Sequence, residues 1–139
     1  MGILDGVSGA EIPCVGAVVK DGQGRLLLIK RGHEPGAGLW SLPGGRIEPG
    51  ETDAEALVRE MLEETGLKVA PGRLLGSVKR PGLDGDVIDI RDYAATVISG
   101  TLRAGDDAAD AMWASVADLG SLAVTDGLIE ALTTWRVLG

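Results

Sequence analysis

The stretch Gly45–Leu67 reads GRIEPGETDAEALVREMLEETGL. The glycines in its first part predict a sharply bent loop. Thr52 or Asp53 then offers a side-chain oxygen that can cap a helix, and Glu55 follows Thr52 at the spacing of a capping box. Gly66 stands where glycine commonly closes a helix C-terminus. The stretch therefore predicts a loop followed by one helix, which ends at Gly66.

The predicted helix carries two unlike faces. At about 100° of rotation per residue, its apolar residues fall on one arc: Ala54, Leu57, Val58, Met61 and Leu62. Glu60, Glu63 and Glu64 form a second arc at i, i+3 and i+4, where carboxylates repel one another. This arc is either a solvated acidic face or a binding site for a divalent cation that prefers oxygen ligands, such as Mg²⁺.

The stretch also fits one spaced pattern, Gly-x5-Glu-x7-Arg-Glu-U-x-Glu-Glu-x-Gly-U, in which U is an aliphatic residue. The residues that fill it are Gly45, Glu51, Arg59, Glu60, Met61, Glu63, Glu64, Gly66 and Leu67. The stretch thereby resembles the Nudix box of the Nudix (MutT-like) hydrolases. The run WSLPG at 40–44 is similar to the sequence that leads into this box. The resemblance favours a cation site over a solvated face.

The resemblance also implies a role for each residue of the predicted catalytic centre. Glu60, Glu63 and Glu64 match the family's ligands for Mg²⁺, which Mn²⁺ can replace, and the Gly45 carbonyl joins them. Arg59 and Glu51 look like the family's structural ion pair, which ties the loop to the helix. A cation held there would neutralise phosphate oxygens and lower the pKa of a bound water.

Residues outside the box supply further candidates. Lys30 and Arg31 end a predicted strand near the box loop and are read either as phosphate contacts or as solvated charges. Tyr93 is a candidate for stacking on a nucleobase, with Trp40 as a second one. The general base is open between Glu63 and the acidic loop between the last strands, which contains Asp106, Asp107 and Asp110.

Length and composition limit the protein class. The chain has 139 residues, which predicts a single domain over 13–139, and residues 1–12 read as a loose N-terminal arm. The net charge of −8 without a basic run argues against a nucleic-acid polymer as substrate. It leaves room for a small-molecule nucleotide, because a metal bridges two anions. The chain shows neither a signal peptide nor an apolar run of about 18 residues, so a cytoplasmic protein without membrane contact is expected.

The remaining pattern predicts a fold of class α/β (α+β). The predicted strands are 13–20, 25–31, 73–80, 87–97 and 111–114, the first two joined as a hairpin, with 101–103 as a further short piece. A short turn or helix at 116–119 precedes a final helix that Thr125 or Asp126 would cap. Helices on opposite faces of a mixed sheet satisfy this order. The resemblance implies the same architecture, an α/β/α sandwich around a central mixed β-sheet.

The function predicted from the resemblance is Mg²⁺-dependent hydrolysis of a nucleoside diphosphate linked to a group X. Pro81 follows Gly66 by 15 residues, an offset associated in the family with ADP-ribose hydrolysis. The short N-terminal arm instead favours the compact nucleoside-triphosphate hydrolases. A catalytically silent nucleotide-binding module and a structural domain with an acidic patch are the alternatives. A homodimer is compatible with the sequence, which does not give the oligomeric state.

Overall fold

The computed structural model describes residues 9–105 and 107–138 of the chain. Its strands are β1 (Glu11–Val19), β2 (Leu26–Arg31), β3 (Trp40–Ser41), β4 (Gly44–Arg46), β5 (Leu67–Pro81), β6 (Val87–Gly100) and β7 (Ala108–Ala114). Its helices are α1 (Asp53–Thr65), α2 (Val116–Leu119) and α3 (Leu128–Thr134). None of the helices in these ranges has the length and apolar character needed to cross a bilayer.

The strands form two sheets. A four-stranded mixed sheet has the order β4-β1-β6-β5, with β1 and β6 parallel and the other neighbours antiparallel. A three-stranded antiparallel sheet has the order β3-β2-β7. The mixed sheet confirms the predicted central element, and the second sheet lies beside it through the packing of β1 against β2.

Two hydrophobic cores lie on opposite sides of β1 and β2. One contains Val15, Ala17, Val19 and Leu27 together with the buried face of α1. The other contains Val18, Leu26 and Leu28 together with residues of α2 and α3. Side chains of a strand alternate between its two faces, so successive residues of the apolar runs serve opposite cores. The result is the predicted α/β/α sandwich.

Helix α1 has the predicted ends. The Thr52 hydroxyl accepts a hydrogen bond from the Glu55 amide, and the Glu55 carboxylate accepts one from the Thr52 amide. Gly66 closes the helix at φ 75°, in the left-handed region that favours glycine. The predicted apolar arc is wrong in part, because Ala54 and Leu62 are exposed. The buried residues are Ala56, Leu57, Met61 and Thr65. The buried face of the helix therefore lies nearer to Glu60 and Glu64 than the predicted arc.

Other predicted elements differ in their pairing or limits. β1 and β2 share one antiparallel bridge, Lys20 to Leu26, and then diverge into different sheets, so the predicted hairpin is wrong. Gly127, at φ 82° and without a side-chain bond, caps α3 in place of Thr125 or Asp126. Residues 101–103 are irregular. β1 already begins at Glu11, within the predicted arm, of which residues 1–8 lie outside the described residues.

Candidate functional site

The loop and strand before α1 touch two of its glutamates directly. The Glu60 carboxylate lies against the backbone of Gly45, where the Cβ of any other residue would overlap it. The Gly44 amide donates a hydrogen bond of 2.8 Å to Glu64 Oε1. Gly44 and Gly45 belong to β4, whose register against β1 fixes both positions. The sheet edge and the helix are thereby joined through the two carboxylates.

Burial makes Glu60 and Glu64 electrostatically unusual. Desolvation raises the pKa of the Glu64 carboxyl from 4.5 to about 7, and the charge of Glu60 adds to this rise. Desolvation also raises the pKa of Glu60, although Arg59 opposes the effect. The two carboxylates are thus partly buried close together without enough positive charge to balance them. Such an arrangement favours a cation between them or a proton on one of them.

Arg59 joins the loop, its own helix and the exposed glutamate of the box. Its Nε and Nη2 donate to the two oxygens of Glu51 at 2.7 and 2.9 Å, and Nη2 also donates to the Arg46 carbonyl at 3.0 Å. Its Nη1 donates to Glu60 Oε2 and Glu63 Oε1, both at 3.2 Å. Hydrogen bonds from Arg59 hold the pKa of Glu51 at about 2. The geometry is that of the predicted ion pair between loop and helix.

The carboxylates as positioned do not form a closed metal site. Across residues 9–105 and 107–138, no three carboxylate, imidazole or thiol groups converge closely enough to hold an ion. The reason is visible in the contacts, because Arg59 holds Glu60 and Glu63 while the Gly44 amide holds Glu64. The donor set nevertheless fits a hard divalent cation, since it offers oxygen ligands and an uncompensated buried charge.

The segment between β6 and β7 packs against the C-terminus of α1. The Gly105 amide donates to the Glu64 carbonyl at 2.9 Å, and a Cβ at Gly105 would overlap the Glu63 carbonyl oxygen. This contact brings Asp107 near the box, where its charge raises the pKa of both Glu60 and Glu64. Gly105 therefore positions the loop, a role that its place beside the acidic run could have indicated.

The three acidic loop candidates differ in position. Asp107 lies on the box side, with Oδ1 3.3 Å from Nε2 of His33. Asp110 pairs with Lys30 in the register of β7 against β2, and strand alternation directs both side chains to the face that carries Leu28, opposite α1. Asp106 lies outside the described residues. The structure therefore brings Asp107 to the site and leaves Asp110 away from it.

The same alternation separates Lys30 from Arg31. Arg31 shares the face of Leu27 and lies near the box, where its charge opposes the rise in the pKa of Glu64. Its Nε donates to the Pro35 carbonyl at 2.6 Å, which orients the guanidinium. Lys30 lies on the opposite face beside Trp40 and Asp110. Of the two predicted phosphate contacts, Arg31 therefore lies on the box side, whereas the position of Lys30 fits its alternative interpretation as a solvated charge.

Tyr93 is placed against α1, and its hydroxyl donates to Asp53 Oδ2 at 2.5 Å. Arg91 also donates to Asp53, from Nε at 2.6 Å and from Nη2 at 2.8 Å. These bonds fasten the first residue of α1 to β6 and hold the pKa of Asp53 at about 2. The ring of Tyr93 packs beside the α1 core, which corrects its prediction as a stacking surface. Sequence reasoning missed the role of Asp53, because its partners lie 38 and 40 residues away.

Comparisons with known proteins agree with this architecture. A family model described as the NUDIX domain matches residues 11–133. An ADP-ribose pyrophosphatase of Methanocaldococcus jannaschii is 42% identical over 124 residues, which are 87% of this chain and 72% of that protein. A CTP pyrophosphohydrolase of Escherichia coli K12 is 35% identical over 89 residues, 63% of this chain and 65% of that protein. The MutT protein of Methanosarcina mazei Go1 is similar in structure, with a TM-score of 0.82 and 25% identity over 93% of this chain and 95% of that one.

Proposed function

The chain belongs to the Nudix family of hydrolases, and on this premise we propose that it is a Mg²⁺-dependent pyrophosphohydrolase of nucleotides. Its substrate would be a nucleoside diphosphate linked to a group X. The products would be a nucleoside monophosphate and phosphorylated X, or pyrophosphate when the substrate is a nucleoside triphosphate. The observation that carries this proposal is the pair of partly buried carboxylates, Glu60 and Glu64, held against the glycine backbone of β4.

The proposed ligands of the cation are Glu60, Glu64 and Glu63, with the Gly45 carbonyl. When bound, Mg²⁺ would neutralise phosphate oxygens and lower the pKa of a water molecule for attack at phosphorus. Burial favours this choice of ligands, because a cation between Glu60 and Glu64 would offset the desolvation that chiefly raises their pKa values, and also the neighbouring negative charges that add to it. Glu63 is 47% exposed and is free to turn away from Arg59.

Other residues would orient the substrate and move the proton. Arg31, which faces the box, would contact a phosphate of the substrate through its guanidinium. Arg59 would keep the glutamates in place through its bonds to Glu51, Glu60 and Glu63. We assign the general base to the Asp107 carboxylate, which lies on the box side without an arginine bond among the described residues. Glu63 is the alternative base.

Two named relatives support two substrate classes. The relative from M. jannaschii is an ADP-ribose pyrophosphatase and the relative from E. coli is a CTP pyrophosphohydrolase. Both substrates contain a nucleoside joined to at least two phosphoryl groups, which is the part that the proposed site would contact. We therefore propose that this chain acts on an ADP-ribose-like compound or on a nucleoside triphosphate.

The test is a product analysis by mass spectrometry after incubation with Mg²⁺ and a substrate panel. The panel contains ADP-ribose, nucleotide sugars, diadenosine polyphosphates, and normal and oxidised nucleoside triphosphates. One compound cleaved far faster than the rest would identify X and the phosphate that is attacked. If neither Mg²⁺ nor Mn²⁺ supports cleavage of any member, the pyrophosphohydrolase proposal is wrong for these substrates, and nucleotide binding without catalysis becomes the better explanation.

The variant Glu63→Gln separates an enzyme from a silent binder. An enzyme should lose roughly 10²-fold or more in rate and keep its affinity for the substrate, because the amide removes a charge without removing bulk. Glu130→Gln is the matched control, since it makes the same change on α3, away from the box. Equal rates for the two variants would remove Glu63 from the proposed site.

A further inference from the structure

Asp92, in the middle of β6, is a buried carboxylate that the proposed chemistry does not use. It is only 4% exposed, and its side chain points to the face of the sheet opposite Tyr93 and α1. Within residues 9–105 and 107–138, no hydrogen bond or ion pair of this carboxylate is found. Burial accordingly raises its pKa from 3.8 to about 7, and the charge of Arg80 opposes this rise. A buried acceptor without a donor is costly, and native proteins seldom keep one without a reason.

Glycines flank Asp92 on both neighbouring strands. The register pairs Asp92 with Gly16 on β1 and with Gly76 on β5. A Cβ at Gly16 would overlap Asp92 Oδ1, and a Cβ at Gly76 would overlap the indole of Trp135. The two glycines therefore leave space that the carboxylate and an aromatic ring occupy from either side. Trp135 is half-buried.

The carboxylate lies in the same row of the sheet as the glycine that holds Glu64. Gly44 pairs with Gly16, and Gly16 pairs with Asp92. Two strand spacings separate Gly44 from Asp92, which is about 10 Å. The Gly44 amide is bonded to Glu64 of the box. The register therefore places Asp92 about two strand spacings from the glycine that contacts the box.

We propose that Asp92 is a specificity-determining residue that accepts a hydrogen bond from the exocyclic amino group of the substrate's nucleobase, beside the ring of Trp135. This inference rests on the proposed function and narrows its substrate to adenine or cytosine nucleotides. An amino N–H satisfies the ionised carboxylate, which can only accept, and the comparison below is therefore made above pH 7, because a neutral carboxyl could also donate to a carbonyl. A base that has only a carbonyl at that position leaves Asp92 without a donor, and polar sites of this kind reject such analogues.

The test compares kcat/KM for two substrates whose nucleobases differ at one position, where one base has an amino group and the other has a carbonyl. The pairs are CTP with UTP, ATP with ITP, and ADP-ribose with its hypoxanthine analogue, and the pair used contains the compound that is cleaved fastest. The natural chain should prefer the amino member by roughly tenfold or more. Asp92→Asn should reduce this ratio to near one, because the amide both accepts from an amino group and donates to a carbonyl.

Asp89→Asn is the matched control, since it makes the same change on β6 on the opposite face, and it should keep the ratio. Gly16→Ala gives a second route to the same result, because its Cβ would displace the Asp92 carboxylate. The preference should fall in that variant as well, which matters if Asp92→Asn does not fold.

A ratio near one in the natural chain overturns the inference, as does a preference that both Asp92→Asn and Gly16→Ala retain. These results are distinct from failure of the proposed function, in which no nucleotide is cleaved at all. If neither variant folds, the ratio measured for the natural chain decides.

Discussion

The Arg59 guanidinium binds the Glu51 carboxylate through two hydrogen bonds, Nε to Oε2 at 2.7 Å and Nη2 to Oε1 at 2.9 Å. The pair joins the loop to the middle of α1, and the side chains are 24% and 18% exposed. Arg59 holds the pKa of Glu51 at about 2, against an ordinary value of 4.5. The stabilisation that this pair supplies is therefore present above pH 4.5 and is lost only as the pH falls toward 2.

Replacing Arg59 by alanine should lower both the stability and the activity. The change leaves the Glu51 carboxylate without its partner and removes the bonds that orient Glu60 and Glu63. We expect Tm to fall by several degrees at neutral pH, measured by thermal unfolding, with a loss of hydrolysis. Lys79→Ala, which breaks an exposed pair with Glu11, should change Tm little. An unchanged Tm for Arg59→Ala together with lost activity would contradict the structural role.

Alanine at Gly44 should lower the stability much more than alanine at Gly45. The atoms nearest to a Cβ at Gly45 belong to the end of the Glu60 side chain, which can swing away, whereas the Cβ at Gly44 would overlap the Val15 carbonyl of the backbone. Gly45→Ala should therefore keep most of its Tm and lose activity, because Glu60 is displaced. Gly44→Ala should lower Tm markedly. Calorimetry and a hydrolysis assay on both variants check this, and a fully active Gly45→Ala would remove Glu60 from the proposed site.

Asp107 and Asp110 give a matched pair for the general base. Asp107→Asn should lower kcat by roughly 10²-fold or more, because Asp107 lies on the box side of the fold. Asp110→Asn should keep its rate, because this residue faces the opposite side beside Lys30. Steady-state kinetics across pH are the measurement. Equal rates for Asp107→Asn and the natural chain would transfer the assignment to Glu63.

Glu64→Gln should change the pH dependence of stability. In the folded chain the pKa of Glu64 is raised from 4.5 to about 7, so the folded state binds more protons than the unfolded state in that window. The stabilisation of the folded state that comes from this raised pKa is fully present below pH 4.5 and is lost as the pH rises through 7. Without metal, Tm of the variant relative to the natural chain should therefore be higher at about pH 8 than at about pH 4.

The same comparison with Mg²⁺ adds a second readout. Mg²⁺ should raise Tm of the natural chain at about pH 8, because a ligand that binds the folded state stabilises it. The increase should shrink in Glu64→Gln and remain in Glu130→Gln. If the Tm difference between Glu64→Gln and the natural chain, measured without metal, is constant across the pH range, the burial of Glu64 does not affect its protonation.

Tyr93→Phe should weaken the start of α1 and leave substrate binding unchanged. The change removes the hydrogen bond to Asp53 and keeps the ring in its place beside the core. We expect a loss of about 1 kcal/mol in the free energy of unfolding, measured by urea denaturation, with KM unaltered. A large rise in KM without a loss of stability would instead support the prediction that Tyr93 contacts the nucleobase.

The box and its helix could be predicted because their contacts are local. The bond between Thr52 and Glu55 spans three residues, and that between Arg59 and Glu51 spans eight. The start of the helix brings Thr52 and Glu55 together, and the short loop before α1 is long enough only to fold Glu51 back onto Arg59. The partly wrong apolar arc shows the limit of this reasoning, because the sheet decides which side of α1 is buried.

The sequence by itself determined the limits of α1, the sandwich class and the residues of the box. Only the tertiary structure decided that β1 and β2 part into two sheets, that Lys30 and Asp110 turn away from the box, and that Asp92 lies beside Gly16. The physical reason is strand register, since the side-chain period is two and a shift of one residue reverses every face. Register is set by contacts between distant parts of the chain, which no short stretch of sequence contains.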